Sequence, residues 1–206
     1  MSRPFRVGVL VSGNGTNLQA LLDTVHRRDG IEVAAVAANA PGIRALERAA
    51  GAEVESAVFA SADFADRRRR DDALAGWLAA REIDLVVLAG WMELLSPAFL
   101  RRFPEAVVNV HPALLPAFPG LRAVEQALAY GVQVSGVTVH FVDEGVDTGA
   151  IILQRAVELT GARDSEQALE RLHPVEHELL PEAVRLIARG AVRRDPGHPR
   201  RVLVEP

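Results

Sequence analysis

The sequence predicts a three-layer α/β fold: an open, twisted, mostly parallel sheet with helices on both faces and an antiparallel part toward the C-terminus. Three observations carry that expectation. Short apolar runs of strand length alternate with helix-length amphipathic segments over the first two thirds of the chain. Several of these runs are apolar on both faces, as strands covered by helices on each side must be. After residue 130 two β-rich segments follow one another with no helix between them, the pattern of an antiparallel pair.

In chain order, Phe5 to Ser12 reads as a strand and Gly15 to Arg28 as a helix, with Leu18, Leu21, Leu22 and Val25 as its apolar stripe. Ile31 to Ala38 is the second strand and Ile43 to Ala50 the second helix. Glu53 to Val58 gives a third strand and Phe64 to Arg81 a longer helix. Ile83 to Gly90 is a buried strand, followed by a short helix from Ser96 to Phe103. Ala106 to Val110 is another buried strand, and a helix covers 121 to 130. Ser135 to Val142 and Ala150 to Val157 form the β pair, with Asp143-Glu-Gly-Val-Asp-Thr-Gly149 linking them. A final helix spans roughly 164 to 189, with a break expected before Pro174 because the residue ahead of proline disfavours helical backbone. The tail, 190 to 206, is basic and turn-rich.

The 206 residues suit a single domain, 1 to 206, with an N-terminal half to about 100 and a C-terminal half from about 101. Hydrophobic residues at 49% and charged residues at 24% mark an ordered globular chain rather than a disordered one. The longest apolar run, Leu85 to Met92, is too short to span a bilayer, and Met1-Ser-Arg-Pro leads directly into a strand. No membrane association and a cytoplasmic location are therefore expected. Cysteine is absent, which removes disulfides, thiolate nucleophiles and thiolate metal ligands. Lysine is absent too, which excludes a Schiff-base lysine and a Walker lysine. A net charge of −4 gives no reason to expect nucleic acid as a partner.

The densest chemistry lies at Asn109-Val-His-Pro112, followed by Leu114-Leu-Pro-Ala-Phe-Pro-Gly120. Asn109 and His111 are two residues apart on a strand and so point to the same side. They stand at the carboxyl end of a central strand, where open α/β sheets bind ligands, and prolines lock the loop beyond. A histidine in such a position needs a carboxylate neighbour to hold its tautomer. Asp147, between Gly145 and Gly149, is a candidate, with Asp143 and Glu144 as competitors in the same loop. A metal at His111 and His140 is a weak rival, since neither has the close spacing of a ligand set, and no metal is expected.

A second constellation, Ser12-Gly-Asn-Gly-Thr-Asn-Leu-Gln19, sits at the turn from the first strand into the first helix. Glycines allow close backbone approach, and a helix N-terminus offers N–H groups and a positive dipole end. Leu18 stands where a dinucleotide fingerprint has its third glycine, and the second strand ends in Ala38-Asn39 rather than an acid. A monophosphate fits this cradle better than NAD or ATP. The plainer alternative is a Gly-rich turn with Thr16 or Asn17 capping the helix.

In this order and spacing these motifs, together with Leu88-Ala-Gly-Trp-Met92, His140-Phe-Val142 and Glu176-His177, resemble the folate-dependent formyltransferase family, and within it the phosphoribosylglycinamide formyltransferases (GAR transformylases) of purine synthesis. The resemblance covers nearly the whole chain and implies a Rossmann-like sheet. It also implies transfer of a formyl group from 10-formyltetrahydrofolate, as co-substrate, to the amine of glycinamide ribonucleotide by direct attack through a tetrahedral intermediate. On the same footing Asn109, His111 and Asp147 are catalytic. Gly13, Asn14, Gly15, Thr16 and Asn17 hold the substrate phosphate, and Glu176 touches the ribonucleotide. Arg67, Met92, Glu93, Leu94, Leu95, Asn109, Val142 and Val146 form the folate site, with the arginine's register open among Arg67 to Arg70. A cis bond at Leu115-Pro116, a monomer or homodimer, and only small-molecule partners complete what the family implies.

Some residues depart from the family pattern. Arg122 stands where many relatives have histidine, Glu93 where some have arginine, and Leu180 where an aromatic is frequent. Two relatives share the Asn/His/Asp set. Formyltetrahydrofolate hydrolase usually carries an N-terminal regulatory domain, for which a strand starting at Phe5 leaves no room. Methionyl-tRNA formyltransferase is longer, and its tRNA sits poorly with an acidic chain. A phosphate sensor without catalysis would need residues 13 to 17 but not Asn109, His111 and Asp147 together. His26, His173, His177 and His198 carry no catalytic warrant from spacing.

Overall fold

A computed structural model of the chain describes residues 3–198 and 200–205. The lead-in from Met1 and Ser2, and Pro199 and Pro206 of the tail, lie outside the described residues. The chain divides into two compact units, the first ending at Val108 and the second beginning at Asn109.

The first unit carries β1 (Phe5–Val11), α1 (Thr16–Thr24), β2 (Ile31–Ala38), α2 (Arg44–Gly51), β3 (Ser56–Val58), α3 (Arg67–Ala79), β4 (Leu85–Leu88) and α4 (Pro97–Arg102). Its strands lie in the order β3-β2-β1-β4, all parallel. The chain thus winds outward from β1 to β3 and then returns to the other side of β1. With right-handed crossovers that reversal sends α1 and α2 to one face and α3 to the other. The core is aliphatic: Val7, Val9, Leu10, Val11, Val33, Val36, Leu85, Val86 and Val87 are buried on the strands, with Leu18, Leu21, Leu74 and Leu78 from the helices. The gap between β1 and β4 is the switch point at which such sheets bind ligands.

The second unit opens on the end of β5 (Val107–His111), the strand that bridges the two units in sequence. It continues through α5 (Ala123–Tyr130), β6 (Val134–Phe141), β7 (Ile151–Glu158) and α6 (Ser165–Ala188). Strand order here is β5-β6-β7, and β6 and β7 are antiparallel. The fold class is therefore the expected one, α/β with a mostly parallel sheet and an antiparallel C-terminal part. β6 is buried along nearly all its length, whereas β7 alternates between half-buried and exposed positions, as an edge strand does. The register slips between Val139 and His140, a β-bulge within the hairpin.

One expectation needs correcting, and two points are refined. α6 runs unbroken through Pro174 and Pro181. Ala168, Leu172, Leu179, Leu180, Ala183 and Val184 are buried along it, and burying several such side chains at about 1.5–3 kcal/mol for each large one outweighs the roughly 3 kcal/mol cost of a proline inside a helix. The tail is not only turns: β8 (Val192–Arg194) and β9 (Val202–Val204) pair antiparallel around it. The cap of α1 is Gly15, in the left-handed region at φ 68°, with no side-chain cap, so neither Thr16 nor Asn17 plays that part. A Cβ on Gly15 would lie 2.6 Å from the Ala45 Cβ, so α2 packs where a side chain would stand. The Leu115-Pro116 bond is cis, as expected.

Candidate functional site

In the second unit β5 delivers Asn109 and His111 to one side, as the two-residue periodicity requires. The loop after them is fastened from the hairpin. Thr138 Oγ1 donates to the Ala113 carbonyl at 2.6 Å and accepts from the Leu115 N–H at 3.2 Å, while Gln154 Nε2 donates to the Leu115 carbonyl at 2.8 Å. The turn Asp143 to Gly149 brings Asp147 against the pair. Asp143 is spent within that turn, accepting from Gly145 N–H and Thr148 Oγ1 at 3.1 and 2.6 Å. Gly149 is required where the turn re-enters the sheet, because a Cβ there would fall 1.7 Å from the Phe141 carbonyl oxygen.

Asp147 is therefore the carboxylate that reaches the imidazole, the choice that the sequence left open. Its Oδ2 lies 3.4 Å from His111 Nδ1 and accepts from the Gly120 N–H at 2.7 Å. Its Oδ1 lies 3.4 Å from Asn109 Nδ2 and 3.6 Å from His140 Nε2. Its backbone sits at φ 51°, a left-handed conformation rare outside glycine that tends to mark functional turns. Burial by itself would raise the Asp147 pKa. His140, the Gly120 N–H and the charge of His111 more than offset that and hold it at about 2. The group is a carboxylate at any physiological pH.

His111 is buried, with Nε2 2.8 Å from the Phe118 carbonyl and Nδ1 facing Asp147. A ring carrying both protons thus finds an oxygen acceptor at each nitrogen. His140, which the sequence offered only as a weak metal candidate, completes the group. It is 1% exposed, its Nδ1 lies 2.8 Å from the Phe141 carbonyl, and its Nε2 lies 3.3 Å from Asn109 Nδ2. With Nδ1 engaged by that carbonyl, Nε2 faces both the Asn109 amide and Asp147. The register slip beside His140 leaves Ile152 unpaired on β7, and such a slip leaves no mark in a β-rich pattern. Among the described residues no group of three or more His, Asp and Glu could hold a metal ion.

Two further expected elements lie together in the first unit, at the switch point between β1 and β4. Ser12 Oγ accepts from the Met92 N–H at 2.9 Å, joining the loop after β1 to the segment after β4. In the 13–17 loop the carbonyls are tied back to α2, Gly13 by the Ala45 N–H at 3.2 Å and Asn14 by Arg48 Nε at 2.8 Å. With no side-chain cap on α1, the loop presents its N–H edge at a helix N-terminus, which is the construction of an anion cradle. In the 92–95 segment Met92 and Leu94 are exposed and Glu93 and Leu95 half-buried. Of the four consecutive arginines, Arg67 is exposed on the first turn of α3, and Arg70 is the one buried beside this segment, donating to the Leu94 carbonyl at 3.3 Å.

In the second unit Val142 is half-buried and Val146 exposed on the Asp147 turn, and Glu176 is buried on α6. Arg122 is exposed and caps α5 with a left-handed backbone, φ 61°.

Residues 5–184 match the family model described as formyl transferase. A phosphoribosylglycinamide formyltransferase of Haemophilus influenzae is 37% identical over 189 residues, covering 91% of this chain and 89% of that protein. The enzyme of that name from Mycobacterium tuberculosis is 45% identical over 191 residues, 93% of this chain and 88% of its own. A trifunctional purine biosynthetic protein of Drosophila pseudoobscura is 45% identical over 192 residues, and the chain spans 14% of its length. In three dimensions the crystal structure of glycinamide ribonucleotide transformylase 1 from Symbiobacterium toebii aligns with all of this chain and 96% of its own, with TM-score 0.95 and 44% identity.

Proposed function

The chain belongs to the formyl transferase family, and from that premise we propose that it transfers the formyl group of 10-formyltetrahydrofolate to the amine of glycinamide ribonucleotide, giving formylglycinamide ribonucleotide and tetrahydrofolate. The observation that carries the proposal is the convergence of Asn109, His111 and a strongly acidic Asp147 on one point of the second unit. On this reading the whole chain acts as one formyltransferase domain in the cytoplasm, as a monomer or homodimer, on small molecules alone.

The residue types suit the reaction. Attack of a neutral amine on an N-formyl carbon makes a tetrahedral centre with an anionic oxygen and a cationic nitrogen. The Asn109 amide is one donor for that oxygen, and a protonated His111 is the other once an N–H turns from its long 3.4 Å contact with Asp147, a role in which one well-aimed donor contributes roughly 100- to 1,000-fold in rate. The Asn109 contacts at 3.3 and 3.4 Å are long for hydrogen bonds, so the amide re-aims at an incoming oxygen with little to lose. Asp147, charged at any working pH, favours the imidazolium and relays the proton of the attacking amine toward the folate nitrogen that leaves. The 13–17 loop is assigned the ribonucleotide phosphate, Glu176 the rest of that substrate, and Arg67, Met92 to Leu95, Val142 and Val146 the folate. No step calls for a metal.

The test is release of tetrahydrofolate from 10-formyltetrahydrofolate with and without glycinamide ribonucleotide. Release that requires the ribonucleotide, with the formyl group recovered on it, is the expected result. Release without it would replace the transferase by a hydrolase using the same residues, and no release from folded protein would leave only the phosphate cradle.

A further inference from the structure

Trp91 to Ser96 makes up most of the connection from β4 to α4 and contains neither helix nor strand. Such a segment has no backbone ladder to hold it, so side chains must do so. One guanidinium holds most of it. Arg70, on α3, is 1% exposed. Its Nε and Nη2 donate to Asp71 Oδ1 at 3.0 and 2.8 Å, and its Nη1 donates to Ser61 Oγ at 3.0 Å and ion-pairs with Glu93. Nη2 also reaches the Leu94 carbonyl, and the group lies 5.7 Å from the centre of the Trp91 ring. Asp71, wholly buried, accepts the Ser96 N–H through Oδ2 at 2.6 Å. Glu93 in turn accepts from Asn39 Nδ2 at 3.0 Å and from Ser61 Oγ at 2.9 Å.

Trp91, Glu93, Leu94 and Ser96 are thereby tied to a single unit of Asp71, the buried Arg70 guanidinium and the half-buried Glu93, and Met92 to Ser12. Two side chains of the segment face outward, Met92 and Leu94, at 60% and 58% exposure. Two large apolar side chains held outward on a fixed backbone make a platform for a flat ring, with the backbone polar groups between them available to its edge. Glu93 matters in particular because its carboxylate closes the unit, pairing with Arg70 and accepting from Asn39 and Ser61.

We propose that the Arg70–Glu93 ion pair is the positioning device for the Met92–Leu95 platform, and that through it Glu93 sets the affinity for the pteridine ring of the reduced folate. The inference rests on the formyltransferase reading given above. Neither side chain touches substrate; both act through the backbone that they fix. A planar guanidinium fork suits this task, since it fixes orientation as well as distance. Removing Glu93 leaves Arg70 still paired with Asp71, so the charge at the core stays compensated and the fold persists while the segment loosens.

Steady-state kinetics on the full chain with Glu93→Ala and Glu93→Gln tests this. For Glu93→Ala the KM for 10-formyltetrahydrofolate should rise about 10-fold, the worth of one buried charged hydrogen bond, with kcat and the KM for the ribonucleotide within about 2-fold. Glu93→Gln keeps the shape and one acceptor for Asn39, and should recover part of the loss. Its thermal midpoint should stay within a few degrees of the parent's. An unchanged folate KM in Glu93→Ala, in a chain that transfers formyl groups normally, overturns this inference alone. Parallel loss of kcat and both KM values would also overturn it, by making Glu93 a fold residue. A parent chain that neither binds nor uses the folate would sink the formyltransferase reading, and this inference with it.

Discussion

Asp71 in the first unit and Asp147 in the second each lie at the centre of a polar cluster, and the two are held in opposite ways. Asp71 is wholly buried and saturated, with a guanidinium and a backbone N–H at 2.6 to 3.0 Å. Asp147 has one short bond, from the Gly120 N–H at 2.7 Å, and its three side-chain neighbours stand off at 3.4 to 3.6 Å. A saturated network has nowhere to move a proton or aim a donor, so it fixes backbone. A cluster with long contacts keeps donors that an incoming atom can claim, and it holds its charge by environment rather than by a committed partner. The first arrangement should therefore be costly to break in stability, the second in rate.

Arg70→Met puts that difference to its hardest test. It leaves Asp71 charged, buried and unpaired, and breaking a buried pair in this way costs about 3–5 kcal/mol. Urea unfolding should register the loss directly. A variant as stable as the parent would mean that Asp71 finds water or a proton, and that the network is not the anchor described.

Asp147→Asn and His111→Asn should give the opposite signature. Turnover falls by at least ~100-fold, because the imidazolium loses its partner or the oxyanion a donor. Stability falls less than in Arg70→Met: Asp147→Asn forfeits the contribution of a carboxylate held below its ordinary value, while Asn tolerates the left-handed backbone there. Near-normal turnover in either variant would remove that residue from the catalytic assignment.

His140→Gln divides the second cluster further. His140 is a main reason that the Asp147 pKa lies near 2, so its loss should move that value up toward the ordinary 3.8. A carboxylate with a depressed pKa stabilises the fold fully above its unfolded value and loses that contribution as pH falls through its folded one. In the parent the loss runs from about pH 4 down to about 2; in the variant it is complete at a higher pH, so acid unfolding sets in earlier. Turnover should drop by about 10-fold as Asn109 and Asp147 lose the ring nitrogen that both face. Carbon NMR of the Asp147 carboxyl, followed against pH in both proteins, checks the first effect, and an unmoved titration would refute it.

The two clusters also differed in how much of them the chain announced. Asn109 and His111 were legible because period-2 geometry and a central strand end say where such side chains go, and the structure brings both to Asp147. That Asp147 rather than Asp143 or Glu144 reaches the ring depends on how one short turn closes, which composition does not encode. His140 was read only as a rival metal ligand, because its place beside Asn109 and Asp147 depends on how β6 stands against β5 and the turn, which local spacing does not reveal. The buried arginine was hidden by its neighbours: four arginines in a row look like one solvated face, and only packing separates Arg70 from Arg67. The strand-and-helix alternation, by contrast, is set by local periodicity, and it fails only where tertiary burial overrules it, as along α6 at Pro174.

His26 offers a third arrangement and the smallest effect. Its Nδ1 accepts the Val33 N–H at 3.1 Å, an exchange that only an unprotonated nitrogen can make, and its Nε2 is buried with no hydrogen-bond partner. Burial lowers its pKa, Arg27 lowers it further and Glu32 partly opposes them, so the fold prefers the neutral ring. For a base held below its unfolded value of 6.5 the contribution is complete above that pH, and it is lost as pH falls from there to the folded pKa. Urea midpoints should decline as pH falls below 6.5, before Asp147 titrates, and His26→Asn should flatten that part of the profile while keeping an acceptor for Val33. If the parent shows no decline there, or the variant declines as steeply, the ring is not the group responsible.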